Sequence, residues 1–251
     1  MLLDASVPGR LRDAGIAVEA PWWTNRALLT GAGRAALRAV HEADVAAGAD
    51  VVTAATFRCA ERDLLDLGLA PGSGTAWMVH AAVGVARAAA GNSAEVIGSV
   101  GPGDPAGHGW LVTELARCGV DVVLAESMPG VAEAITVVEH ATRAEAAVWV
   151  SFQCADDARL PSGESVVDGV LRAWERGAAV VLLNCGTPRQ VEDALKAVRD
   201  RYDGPLGAYP DATGERLADA LARWRLDYDL AVIGGCCGTT AADLMAPATR
   251  S

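Results

Sequence analysis

The sequence has no long apolar run. Stretches such as residues 178–183 are far too short to cross a bilayer. It has no cluster of Lys and Arg either, and 32 acidic against 21 basic residues leave a formal net charge of −11. That balance excludes nucleic acid or an anionic membrane as partners recruited through bulk charge. The N-terminus, Met1-Leu2-Leu3-Asp4, lacks the basic and apolar regions of a secretory signal, so a cytoplasmic location is expected. Six cysteines in 251 residues are too few for a disulfide scaffold and read as intracellular thiols.

What is present is an ordinary globular composition, 51% hydrophobic and 21% charged, long enough to bury a sizeable core. Short aliphatic or β-branched runs at 1–5, 50–56, 94–99, 120–126, 147–152, 180–185, 205–209 and 230–235 predict strands. Helical spacing and good helix formers fill 33–47, 75–90, 107–118, 131–144, 164–176, 188–201, 213–224 and 239–245. Pro188 suits a first helical turn, and Gly119, Gly177 and Gly204 fall where helix C-caps are expected. Near-continuous apolar strands imply a parallel sheet covered on both faces. Eight strand–helix units in this length predict one (β/α)8 barrel over residues 1–251, with the active site at the C-terminal ends of the strands. A doubly wound open sheet is the rival architecture.

Polar and reactive residues gather at that predicted rim: Asp4, Thr56, Ser99, Glu126, Ser151, Asn184, Tyr209 and Asp211. Loops are polar in any case, but three cysteines there are not so explained. Cys185 ends the sixth expected strand, and the vicinal pair Cys236-Cys237 follows the eighth. Three thiolates converging on one point suit Zn²⁺ and leave its fourth position open, the pattern of a catalytic site. The flanking Gly234, Gly235 and Gly238 permit the sharp bend that lets neighbouring side chains face one ion. Buried unreactive thiols, a redox-active vicinal pair and a glycine-rich phosphate loop stand as alternatives.

The stretch Gly234-Gly235-Cys236-Cys237-Gly238-Thr239-Thr240 resembles the terminal zinc motif of the homocysteine S-methyltransferases. Asn184-Cys185 is similar to the pair that supplies that family's first zinc thiolate. Further similarities lie in Ala47-Gly48-Ala49-Asp50, Gly98-Ser99-Val100-Gly101-Pro102, Glu126 within Ala125-Glu126-Ser127-Met128-Pro129, and Tyr209-Pro210. They fall in the family's order along nearly the whole chain. The resemblance implies a (β/α)8 barrel and one zinc ion on Cys185, Cys236 and Cys237. It also implies methyl transfer from an activated donor, such as S-methylmethionine or S-adenosylmethionine, to homocysteine or a related thiol. Glu126 is then expected to hold the substrate amino group, with Asp4, Thr56, Ser99 and Asn184 lining the substrate pocket.

One segment departs from the family pattern. Where relatives open with Asp-Gly-Gly-Met-Gly-Thr-Glu-Leu, this chain reads Asp4-Ala5-Ser6-Val7-Pro8-Gly9-Arg10-Leu11. Three glycines are replaced, and Pro8 removes a backbone donor. The resemblance places this loop near the amino-acid end of the acceptor, so the expected change is in acceptor choice rather than chemistry. A second small thiol, a selenol, or a non-catalytic thiol-binding role are the alternatives. The tandem Trp22-Trp23 is expected either over the pocket mouth or as a surface anchor. His41, His80 and His140 are expected to be structural, and His108 is the one histidine placed to reach the pocket. Cys59, Cys118 and Cys154 are expected to be structural thiols.

Overall fold

The structure is a computed structural model, and it describes residues 1–212 and 217–244. The start of the expected helix at 213–224, and Met245 with the rest of the C-terminus, lie outside the described residues.

The chain opens with α1 (Val7–Asp13), a 3₁₀ segment (Trp23–Leu29) and α2 (Gly31–Ala46). Then come β1 (Val51–Ala54), α3 (Glu61–Asp66), α4 (Ser73–Ala90), β2 (Glu95–Val100), α5 (Pro105–Arg117), β3 (Val122–Met128) and α6 (Val131–Arg143). The remainder is β4 (Val148–Gln153), a short 3₁₀ turn (Asp156–Ala158), α7 (Val166–Glu175), β5 (Val180–Asn184), α8 (Pro188–Arg199), β6 (Leu206–Tyr209), α9 (Leu217–Asp227), β7 (Val232–Ile233) and α10 (Ala241–Leu244). The strands form one seven-stranded sheet in sequence order, and each neighbouring pair is parallel.

The sheet curls. Leu2 bridges Ile233 of β7 and Leu3 bridges Val51 of β1, so the N-terminus spans the two outer strands. The strand expected at 1–5 is thereby corrected to two isolated bridges. The reason is local: the Thr53 N–H, which would continue a backbone ladder, donates instead to the Asp4 carboxylate at 2.8 Å. The side chain ends the pairing that the backbone began.

Both faces of the sheet are buried, as a parallel sheet requires. Inside the curl lies a small cluster with Leu3, Val51, Ile97, Leu124, Trp149, Leu182 and Val232, closed at its top by Tyr209. Outside it, a larger core packs the helices onto the sheet, with Leu115, Val137, Val170, Leu195 and Trp224 among its members. Helix starts follow sequence signals. Thr187 and Gln190 form a reciprocal capping box at α8, with Pro188 in the first turn. Asp104 caps α5 and Thr30 caps α2. Gly119 and Gly177 end α5 and α7 in the left-handed region, as expected. Gly204 differs: its φ is not left-handed, and a Cβ there would collide with the Tyr202 ring, so close packing requires the glycine.

The segment 4–11 was expected to be loop, yet most of it is α1. Pro8 sits in the first turn, where a helix needs no amide hydrogen. Arg10 anchors this helix by a two-pronged pair to buried Asp44, at 2.8 and 2.7 Å. Among the described residues no helix is long and apolar enough to cross a membrane.

Candidate active site

A cavity of about 280 Å³ opens at the C-terminal ends of the strands. Its lining includes Asp4, Ser99, Glu126, Cys185, Cys236 and Cys237, which the sequence had placed on one rim.

The cysteines converge. Sulfur atoms of Cys185, Cys236 and Cys237 and a carboxylate oxygen of Asp211 all lie within 4.8 Å of one another. Cys185 Sγ and Cys237 Sγ are 4.0 Å apart. Cys185 leaves β5 with φ of 45°, a left-handed turn that swings its thiol off the strand's alternation. Cys236 and Cys237 follow β7 after Gly234 and Gly235. The Cys236 N–H donates to the Pro210 carbonyl at 2.8 Å, and the Cys237 N–H to Asp211 Oδ1 at 3.2 Å. Gly238, at φ of 77°, closes the turn, and the Thr239 hydroxyl donates back to the Cys236 carbonyl at 2.6 Å. A Cβ on Gly235 would meet Thr239 at 2.6 Å, so the turn also needs that glycine. Hydrogen bonds with Cys185 and Cys236 hold the Cys237 thiol well below its ordinary value, while those with Cys185 and Cys237, together with burial, push Cys236 up. The clustering of the three sulfurs fits a thiophilic cation.

A second device turns two neighbouring strand residues the same way. The register of β3 against β4 shifts between Ala125 and Met128, and Ser127 has φ of 55°. Glu126 and Ser127 both line the cavity as a result, where regular alternation would have hidden one. Glu126 accepts a hydrogen bond from the Ser99 hydroxyl. Burial pushes its carboxyl up to about 6, against the lowering effect of that bond. Ser127 joins the sulfur wall: Asn184 Nδ2 donates to Ser127 Oγ at 2.6 Å, and Ser127 Oγ lies 3.6 Å from Cys185 Sγ.

Asp4 is buried, and its carboxylate accepts from the Thr53 N–H at 2.8 Å and hydroxyl at 2.7 Å. Burial and the nearby Asp44 charge push it up to about 7, with the Thr53 bonds opposing. Thr56 and Asn184 are wholly buried and absent from the cavity lining. The Thr56 hydroxyl donates to the Ser99 carbonyl at 2.8 Å, so it fixes the strand ends rather than facing the cavity. His108 is buried against Glu133 at 3.0 Å and does not line the cavity, and neither does Cys154. Cys59 is buried beside Asn25. Trp23 does line the cavity, on the mouth side.

Three features escaped the sequence. Asp211 was placed on the rim but not beside the thiols. Ser127 was hidden by strand alternation, which only the bulge breaks. Arg58, which lines the cavity, carried no motif.

Comparison with known proteins agrees with this geometry. The family model for homocysteine S-methyltransferase matches residues 1–250. Homocysteine S-methyltransferase 1 of Zea mays is 29% identical over 159 residues, covering 55% of this chain and 49% of that protein. Selenocysteine Se-methyltransferase of Brassica oleracea var. italica is 27% identical over 154 residues, covering 53% and 44% respectively. The chain spans about half the length of these curated relatives. Among solved structures, the metallated form of the homocysteine methyltransferase MmuM from Escherichia coli superposes with a TM-score of 0.90 at 26% identity, covering 100% of this chain and 96% of that one. On the matched family model, which runs through all of the elements that build the sulfur cluster, the chain belongs to the homocysteine S-methyltransferase family.

Proposed function

We propose that the protein moves a methyl group from a sulfonium donor, such as S-methylmethionine or S-adenosylmethionine, to the sulfur of homocysteine or a related thiol. The observation that carries this reading is the meeting of Cys185, Cys236 and Cys237 at one end of a cavity whose wall holds Glu126. Those three sulfurs are the ligand set for Zn²⁺, and Asp211 steadies the turn that presents two of them. When bound, zinc supplies the acidity that turns a coordinating thiol into a thiolate near neutral pH, where a free thiol of pKa about 8.5 is mostly protonated.

The chain's own residues do the rest. Glu126 faces the cavity as an anion above about pH 6 and pairs with a substrate ammonium. Ser99 holds that carboxylate in place. Asp4 lines the N-terminal side of the same cavity. The acceptor sulfur attacks the methyl carbon in line with the donor sulfur. A new S–CH₃ bond forms, the old one breaks, and its electron pair leaves on a neutral thioether. No proton need move in that step, so no acid–base pair is required, and catalysis rests on holding two substrates in line. On this reading residues 1–251 form one domain, with the bridging segment at Leu2 and Leu3 acting as the eighth strand of a closed (β/α)8 barrel.

Pro8 favours a second acceptor. It lines the cavity and offers no amide hydrogen there, which suits a small thiol or selenol that needs no backbone donor on that wall. The test is a mass-spectrometric screen of thiols and selenols against sulfonium and betaine donors, with zinc-loaded protein. The expected product is a methylated acceptor from a sulfonium donor. Binding of thiols without methyl transfer from any donor would instead make the protein a thiol-binding relative.

A further inference from the structure

The cavity lining also carries, on a segment separate from the cysteines, a cation that the reaction as derived above does not use. Arg58 follows β1, and its side chain is the one basic group in the cavity lining among the described residues. Its guanidinium carbon lies 5.6 Å from the centroid of the Trp23 ring and 5.4 Å from that of Phe57. Its backbone is pinned as well: the Arg58 carbonyl accepts from buried Asn25 at 2.7 Å, and the next residue's N–H donates to Thr56 at 2.9 Å. Two aromatic faces and a fixed backbone hold this guanidinium in place at little further entropic cost.

Nothing else answers its charge. Among the described residues Arg58 makes no ion pair, although Asp4 and Glu126 line the same cavity. Asp4 accepts from Thr53 and Glu126 from Ser99, and neither carboxylate reaches the guanidinium. Three other positions on this wall offer little. The Ser6 N–H donates to Thr239 at 3.1 Å, Pro8 has none, and both donors of Thr53 go to Asp4. A cavity with an anion for an ammonium and one free, pre-oriented guanidinium matches a zwitterion.

We infer that Arg58 binds the carboxylate of an amino-acid substrate, so that the site reads both charged ends of that molecule, with Glu126 taking the ammonium. The inference rests on the methyl-transfer reading for the identity of the substrate. The structure assigns the carboxylate chemistry; the acceptor and the donor are its two sources, and the experiment separates them.

The experiment compares zinc-loaded wild type with Arg58→Gln and Arg58→Lys. Calorimetry measures binding of homocysteine against 3-aminopropane-1-thiol, which lacks the carboxylate. A second arm measures S-methylmethionine against (3-aminopropyl)dimethylsulfonium. Turnover is measured separately. Wild type is expected to favour the carboxylate-bearing member by at least about tenfold in one arm, which identifies the source. Arg58→Gln should reduce that preference to within about twofold, and Arg58→Lys should retain part of it, because the charge stays and the planar fork is lost. Zinc content and melting temperature should match wild type in at least the lysine variant. An undiminished preference in both arms of Arg58→Gln, or no preference in wild type, overturns the inference. Absence of turnover with a preserved, Arg58-dependent preference would overturn the methyl-transfer reading alone.

Discussion

The two walls of the cavity are built differently. The sulfur wall comes from the ends of β5, β6 and β7, and several of its polar groups are tied to neighbours: the Cys236 N–H to Pro210, the Cys237 N–H to Asp211 and the Asn184 amide nitrogen to Ser127. The facing wall comes from the N-terminal segment, the 3₁₀ turn at Trp23 and the residues after β1. It is mostly apolar, with an aromatic ring 40% exposed at the mouth and an unpaired guanidinium beside it. On the proposed function, the hydrogen-bonded wall carries the donor set for the reaction, and the sparse wall offers the surface on which substrates would differ. Residues at strand ends suit chemistry, and connecting segments suit selection between substrates.

The largest effect should follow from breaking the sulfur wall. Cys236→Ser with Cys237→Ser is expected to remove nearly all zinc, measured by plasma mass spectrometry, and to abolish methyl transfer. Cys185→Ser should do the same from the other strand. A fully zinc-loaded double variant would mean that the sulfurs are not the ligands. The contrast between the walls would then lose its chemical half.

Glu126, on β3, lines the same cavity, and its replacement should have a smaller effect. Glu126→Gln removes a charge-assisted bond worth about 1.5–3 kcal/mol, so acceptor KM should rise at least about tenfold with zinc content unchanged. The same group predicts a pH limb. Its carboxyl is raised to about 6, so the anion needed for an ammonium is present above that pH and is lost as pH falls through it. Acceptor kcat/KM should therefore fall below about pH 6 in wild type, and this limb should vanish in Glu126→Gln. Stability runs the other way. A raised carboxyl favours the folded state below its unfolded value, and that contribution, on the order of 2 kcal/mol, fades as pH rises from about 4 through 6. An acceptor KM that does not move in the variant would return Glu126 to a structural role beside Ser99.

The sequence was informative about the same contrast. Apolar runs located the strands because both sheet faces are buried, and the cysteines were conspicuous because thiols are scarce on a rim. The missed features arise from contacts between distant segments. Residues 1–5 look like a strand, but Asp4 diverts the Thr53 N–H and leaves two bridges. Residues 7–13 look like loop because Pro8 and Gly9 are poor helix formers, yet the Arg10–Asp44 pair and buried Leu11 hold them helical. Helix α3 at Glu61–Asp66 is too short to show a period. Asp211 approaches the thiols only because β6 and β7 are neighbours in the sheet. Arg58 gains its meaning from Trp23, thirty-five positions earlier in the chain.

The smallest expected effect sharpens the contrast from the selective side. Ala5, Ser6 and Pro8 all line the cavity, and glycine at these three positions would reduce side-chain bulk and restore one amide hydrogen. Two outcomes compete. If the backbone of this wall selects the acceptor, the triple glycine variant should shift preference toward homocysteine by severalfold over other thiols in an equal-concentration competition. If Arg58 already supplies the contact that the backbone lost, preference should hardly move, and only stability should fall. The structure favours a modest shift. Ser6 N–H is already committed to Thr239, so a glycine there frees no donor, and only position 8 gains one. The stability cost should also be modest, about 1 kcal/mol per added glycine, because α1 remains tied to Asp44 through Arg10. A wild-type preference for homocysteine by orders of magnitude, unchanged in the variant, would show that the replaced glycines do not govern acceptor choice. Selection would then rest with the charged side chains on either side of them.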